Sequence, residues 1–130
     1  MPVGSVRHVS ASAIDQRPRR GRDGEDAALR VYERRGFGLV VRNWRCAIGE
    51  IDLVLERGGL LVFCEVKART GAAFGGGYEA VTWTKRRKLR RLAEAFLVSS
   101  RTLHAQVRFD VASVWLSRSG PDVEVFEDAF

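Results

Sequence analysis

Cysteine, histidine, proline and methionine are all scarce in this sequence. Among its 130 residues there are two cysteines, two histidines, three prolines and a single methionine. Cys46 and Cys64 are too few for a disulfide framework and show no CxxC spacing, which argues against a disulfide-stapled scaffold and against a cysteine-based zinc site. His8 and His104 stand alone, in no metal-ligating spacing and with neither cysteine as a nucleophile partner. No GxSxG elbow is present, and Gly75-Gly76-Gly77 is not followed by the GK[ST] of a phosphate-binding loop. The longest apolar run, Leu60 to Cys64, is far too short to cross a bilayer. The first 22 residues hold five arginines and no apolar stretch of the kind a secretory signal needs. The expectation is a cytoplasmic protein with no membrane partner.

Positive charge is abundant. The chain carries 22 Lys and Arg against 16 Asp and Glu, a net charge of +6. Residues 23–118 hold 17 basic and 11 acidic groups, so they are basic without help from the N-terminal arginines. Residues 119–130 hold four acids and no base. A basic body suits a polyanionic partner, nucleic acid first.

The pattern divides the chain into a disordered basic arm (1–22), one domain (23–118) and an acidic C-terminal segment (119–130) with room for an edge strand at Val123–Phe126. Asp23 reads as the N-cap of a first helix that ends at Gly36, a residue suited to the C′ position. Strands are expected over 37–45, 49–57 and 60–68. Gly58-Gly59 forms a two-residue hairpin loop between the last two. Residues 69–79, with four glycines, read as a flexible flap. A second helix over about 82–99 buries Leu89, Leu92, Ala93 and Phe96. A strand over 107–116 follows. The order is α-β-β-β-α-β-(β), an α/β fold.

A two-residue loop at 58 and 59 sets a register that puts Asp52 opposite Glu65 and Glu50 opposite Lys67, all on one face, unless a bulge intervenes. Directly opposed side chains lie ~5 Å apart at Cβ. Two carboxylates at that distance repel by roughly a kcal/mol when exposed, and by more when buried. A divalent cation between them would remove the repulsion, and hard oxygen ligands suit Mg²⁺ or Mn²⁺. Lys67 would sit where an ammonium can orient an attacking water and stabilise charge on a phosphate. The same residues also fit a surface hairpin with a Glu50–Lys67 ion pair.

Glu25 shares a helical stripe with Ala28, Leu29 and Tyr32, which aims it at the sheet as a third carboxylate; its other role would be to complement the helix dipole. Lys85 shares the inward stripe of the second helix, while Arg86, Arg87, Arg90 and Arg91 should face outward. Arg42, Arg45, Lys85, Arg86 and Lys88 form the candidate nucleic-acid-binding set, contacting phosphates without reading bases. Trp44 is placed either to stack on a base or to pack.

Six segments appear in order: Gly24-Glu25-Asp26-Ala27-Ala28, Arg42-Asn43-Trp44-Arg45, Gly49-Glu50-Ile51-Asp52-Leu53, Phe63 to Arg69, Glu79-Ala80-Val81 with Lys85, and Arg108-Phe109-Asp110-Val111. This series closely resembles the YraN-type family of uncharacterised bacterial proteins, which is placed in the PD-(D/E)xK nuclease superfamily near the archaeal Holliday-junction resolvases. The resemblance covers about residues 23–116. It implies a restriction-endonuclease-like αβββαβ core with a mixed central sheet flanked by helices, and metal-dependent hydrolysis of DNA, branched or otherwise structured. Carried over, Asp52 and Glu65 are metal ligands, Glu25 a helix-borne acid beside them, Lys67 the catalytic lysine, and Lys85 a phosphate contact. The cofactor would be Mg²⁺ or Mn²⁺. A homodimer is among the readings the resolvase likeness allows. A catalytically silent nucleic-acid-binding protein of the same fold is the alternative, and an adaptor that binds an acidic protein through the basic helix is a third.

Overall fold

The first helix, α1, spans Arg19–Arg34. It therefore starts before Asp23, because the arginines that precede Asp23 are good helix formers and nothing in them ends the helix. The structure, a computed structural model, describes residues 19–70, 83–101 and 106–130. Most of the proposed arm, most of the glycine-rich flap and both histidines lie outside those residues. The C-terminus of α1 is a Schellman motif. Phe37 N–H donates to Tyr32 O and Gly36 N–H to Glu33 O, both at 3.0 Å, with Gly36 at φ 89°. The Phe37 ring then meets Tyr32 edge-on at 5.3 Å, so the turn also starts the core.

Strands β1 (Gly38–Cys46), β2 (Gly49–Arg57) and β3 (Leu60–Thr70) follow, then α2 (Trp83–Ser100), β4 (Gln106–Ser117) and β5 (Gly120–Phe126). They form one five-stranded sheet in the order β1-β2-β3-β4-β5. The sheet is mixed: β3 and β4 run parallel with α2 as the crossover, and the other neighbours are antiparallel. Gly58 and Gly59 have φ 53° and 84°, both positive as a type I′ turn requires. That turn sets the expected register from Arg57↔Leu60 to Leu53↔Cys64. β5 pairs along β4 from Ser117↔Gly120 to Val111↔Phe126, longer than the edge strand expected at Val123–Phe126.

Both faces of the sheet are covered. Leu53, Leu55, Val62, Cys64, Ala112 and Val114 pack with Ala27, Ala28 and Tyr32 of α1. Val54, Leu61, Phe63 and Val111 pack with Leu89, Leu92, Ala93 and Phe96 of α2. The apolar continuation of the hairpin's second face, Val54 and Phe63, is thus core beneath α2. The four α2 residues expected to be buried are the four that are. Among the described residues, no helix is long and apolar enough to cross a membrane.

Candidate functional site

Besides a bulge in β1 between Leu39 and Val41, the regular pleat fails at Asp52. Leu53 and Leu55 belong to the α1 side, yet Ile51, which alternation would place with them, packs on the α2 side with Val54. The step is lost across Asp52. Opposite it on β1, Arg42 pairs with Leu53 and Trp44 with Ile51, so Asn43 falls level with Asp52. Asn43 has φ 56°, a left-handed conformation that Asn adopts more readily than most residues. Arg42 reaches α1, whereas Trp44 packs edge-on against Phe96 of α2 at 5.4 Å. Both strands therefore bend at the same level, and Trp44 is a core residue.

Asp52 fills the gap that the bend opens. Pairing of β2 with β3 stops at Leu53↔Cys64, and the Val66 N–H donates to Asp52 Oδ2 at 2.8 Å. The expectation that Asp52 pairs directly with Glu65 and Glu50 with Lys67 is corrected here. The ladder ends before an Asp52–Glu65 or Glu50–Lys67 pair can form, because the carboxylate takes the N–H that a regular ladder would give to a carbonyl. Glu50 lies instead across from Arg45 on β1, 3.7 Å from its Nε.

The carboxylates still lie within electrostatic reach of Asp52. Burial pushes the Asp52 carboxyl up to about 7; the Val66 N–H opposes this, and the charges of Glu25, Glu65 and Glu50 add to it in that order. Glu25 comes from α1, where it is 4% exposed. Its Oε1 accepts from Arg42 Nε at 3.2 Å and its Oε2 from Asn43 Nδ2 at 3.1 Å. The stripe that aimed Glu25 at the sheet is real, since Ala28 and Tyr32 on it are fully buried. The fit is close: a Cβ on Gly24 would lie 2.6 Å from the Ala68 Cβ, so only glycine lets α1 approach β3 there.

Glu65, on β3, forms an ion pair with Lys85 of α2. Lys67 stands two residues further along β3, half-buried, with no ion pair among the described residues. Arg42 also bonds Asp26 Oδ1 at 2.6 Å and the Arg22 carbonyl at 3.0 Å. Burial draws its pKa down, but the bond to Asp26 and the charges of Asp26 and Glu25 outweigh that and hold the guanidinium charged. Arg42 is therefore a bracket between β1 and α1 before it is a contact for any ligand. Arg45 and Lys88 are exposed, Lys88 with its stem against Gly49, and Arg86 is half-exposed on α2.

Two groups that the sequence reading passed over belong beside this cluster. Asn43, within the Arg42-Asn43-Trp44-Arg45 segment, holds Glu25. Asp110, within Arg108-Phe109-Asp110-Val111, is fully buried. Its Oδ2 accepts the Tyr32 hydroxyl at 2.7 Å, Arg108 binds both its oxygens at 2.9 Å, and the Asp128 N–H donates to Oδ1 at 3.0 Å. Burial, and then the neighbouring Cys64 and Asp110, push the Tyr32 phenol far up and keep it a donor. Four donors on one carboxylate leave Asp110 no free valence for a ligand. It ties α1, β4 and the C-terminal segment together. An Arg at spacing i, i+2 from an Asp on one strand face was the available signal, and both lie in the Arg108-Phe109-Asp110-Val111 segment.

Residues 24–114 match the model of a family described as "Uncharacterised protein family UPF0102". The chain belongs to the UPF0102 (YraN-type) family. It is 48% identical over 102 residues to the UPF0102 protein of Parafrankia sp. (strain EAN1pec), covering 78% of this chain and 86% of that one. To the UPF0102 protein of Pelotomaculum thermopropionicum it is 42% identical over 118 residues, covering 89% of this chain and 98% of the relative. A UPF0102 protein of Rhodococcus jostii is 42% identical over 111 residues, covering 85% and 94%. The family match opens at Gly24, beside Glu25, and runs past Asp110, so it includes Glu25, Asp52, Glu65, Lys67 and Lys85.

Proposed function

We propose that this protein is a metal-dependent endonuclease that hydrolyses phosphodiester bonds of DNA, built on a restriction-endonuclease-like αβββαβ core. The observation that carries the reading is Asp52, a carboxylate held in the gap between β2 and β3 with Glu65, Glu25 and Glu50 close enough to oppose its ionisation. A fold gains no stability from crowding acids around a half-buried Asp. A site that receives a cation does need that arrangement.

The donor chemistry fits Mg²⁺ or Mn²⁺, because every candidate ligand is a hard carboxylate oxygen. Among the described residues, no three His, Cys, Asp or Glu side chains are already gathered as a ligand set. Glu65 is engaged by Lys85, and Glu25 by Arg42 and Asn43. Asp52 and Glu65 would hold the cation, with Glu25 next to them. A bound cation would lower the pKa of an attacking water and polarise a phosphoryl oxygen. The chain supplies the rest. Lys67 would be the ammonium that orients that water and stabilises the charge developing on phosphate. Lys85, Arg86 and Lys88 of α2 would supply cations for the flanking phosphates. Branched or otherwise structured DNA is the substrate class that the likeness to Holliday-junction resolvases supports.

The test has two stages. Calorimetric titration of Mg²⁺ or Mn²⁺ should show binding to the wild type that Asp52→Asn loses. Branched DNA should then be nicked in the presence of metal, and Glu65→Gln or Lys67→Ala should abolish nicking while leaving binding intact. A wild-type protein inert on branched, flapped and single-stranded DNA with either metal would end this reading. The engaged state of Glu65 favours a second one, a nucleic-acid-binding protein without turnover. That protein would bind DNA in a salt-sensitive way and with no dependence on metal.

A further inference from the structure

The three tryptophans have different surroundings. Trp44 is packed on Phe96, and Trp115 is half-buried with the Arg69 guanidinium 5.8 Å above it. Trp83 is 69% exposed at the first turn of α2, the most exposed aromatic residue among the described ones. Its ring is not loose: the Arg87 guanidinium lies 4.9 Å from the ring centroid, one helical turn on. The arginine lies over one face of the indole, and the ring still keeps most of its surface exposed.

The environment of that ring is strongly basic. Between Trp83 and Arg91 the helix carries Lys85, Arg86, Arg87, Lys88, Arg90 and Arg91, with no acid among them. Trp83, Arg87 and Arg91 recur every four residues and so follow one line along the helix, rising about 6 Å per step. Lys85, two residues from Trp83, carries the same helix back to Glu65. An apolar plane set in a row of guanidinium groups matches a polyanion that also offers flat aromatic faces. Unpaired nucleotides do so, whereas duplex DNA keeps its base faces stacked inside.

We propose that Trp83 is a base-stacking platform for an unpaired nucleotide of the bound strand, with Arg87 and Arg91 taking its phosphates. This deepens the nuclease reading and rests on it for the partner class. It commits the substrate to DNA with at least one base out of the stack near the cleavage site. Base stacking on an aromatic residue tolerates any sequence, so the platform recognises DNA structure and not base identity.

The test is metal-free binding by the full chain, in EDTA, to three probes: a short oligothymidylate, an abasic strand of equal length, and a duplex of equal length. The abasic strand keeps the charge and removes the base faces. Wild type should bind oligothymidylate roughly tenfold more tightly than the abasic strand, equivalent to about 1.4 kcal/mol. Trp83→Ala should erase that preference while leaving duplex affinity within about twofold. Trp83→Phe should restore most of it, and oligothymidylate should quench tryptophan emission in wild type but not in Trp83→Phe. Equal wild-type affinity for thymidylate and abasic strands would overturn the platform. So would a Trp83→Ala variant that weakens all three probes alike. Either result leaves the nuclease reading standing, because cleavage is read separately. If wild type binds no nucleic acid and instead binds anionic vesicles or self-associates through this face, platform and nucleic-acid reading fall together.

Discussion

The Asp52 carboxylate takes the place of a main-chain carbonyl, accepting the Val66 N–H at 2.8 Å where β2 and β3 part. A ladder hydrogen bond has been exchanged for a charged acceptor, with other acids around it. The exchange positions an acidic oxygen at a strand gap without leaving an N–H buried and unpaired. It also makes the site sensitive to pH.

The folded Asp52 has a pKa of about 7 against an ordinary value of 3.8, so the folded state holds its proton more tightly than the unfolded chain does. The resulting stabilisation is complete below the unfolded value and is lost as pH rises through about 7. Asp52→Asn is neutral throughout and keeps an acceptor for Val66. Measured in EDTA by thermal unfolding, it should match wild type near the low end of that window. At about pH 8 it should be the more stable protein, by on the order of 2–4 kcal/mol at most. Wild type gaining on the variant as pH rises would contradict this account of the site.

Gly24 controls how close Glu25 comes. Gly24→Ala puts a methyl group 2.6 Å from the Ala68 Cβ, which forces α1 away from β3. The expected cost is about 1–3 kcal/mol by urea denaturation, together with weaker Mn²⁺ binding as Glu25 recedes. Adding Ala68→Gly removes the obstructing atom and should recover most of both losses. A double variant no better than the single one would show that the close approach is not what glycine provides.

The Asp110 cluster is structural, and its variants separate it from the metal site. Asp110→Ala leaves the Tyr32 hydroxyl, Arg108 and the Asp128 N–H without their shared acceptor. Removing one partner of a buried charged network costs about 3–5 kcal/mol. Tyr32→Phe removes a single hydrogen bond and should cost roughly 1–2 kcal/mol. Both losses should appear in chemical denaturation, and Tyr32→Phe should leave Mn²⁺ affinity within about twofold.

Lys85 competes for Glu65. In Lys85→Ala the carboxylate loses its ion pair, and Mn²⁺ affinity should rise by about two- to fivefold, the range expected when an ion pair with one exposed partner is removed. DNA affinity should fall in the same variant, with a shallower salt dependence. Unchanged metal affinity would mean that Glu65 is not the ligand that Lys85 restrains.

Much of this protein is written locally. The Gly58-Gly59 turn determines the β2–β3 register, Gly36 ends α1, and the spacing of Leu89, Leu92, Ala93 and Phe96 selects the buried face of α2. Each follows from backbone conformation or from helical periodicity, so a short stretch of sequence is enough to read it. Glu25 and Lys85 were legible for the same reason, as members of inward helical stripes. The bend was not legible, because it takes two strands to make it. Asn43 in its left-handed conformation and Asp52 opposite it break the pleat together, and periodicity within either strand carries no sign of that. Partner choice was hidden as well. Glu65 turns to Lys85, Glu25 to Arg42 and Asn43, Glu50 to Arg45, and Asp110 gathers Tyr32, Arg108 and Asp128 from across the chain. Charge can be counted along a sequence, but a carboxylate's partner is decided by which elements the core brings within hydrogen-bonding distance.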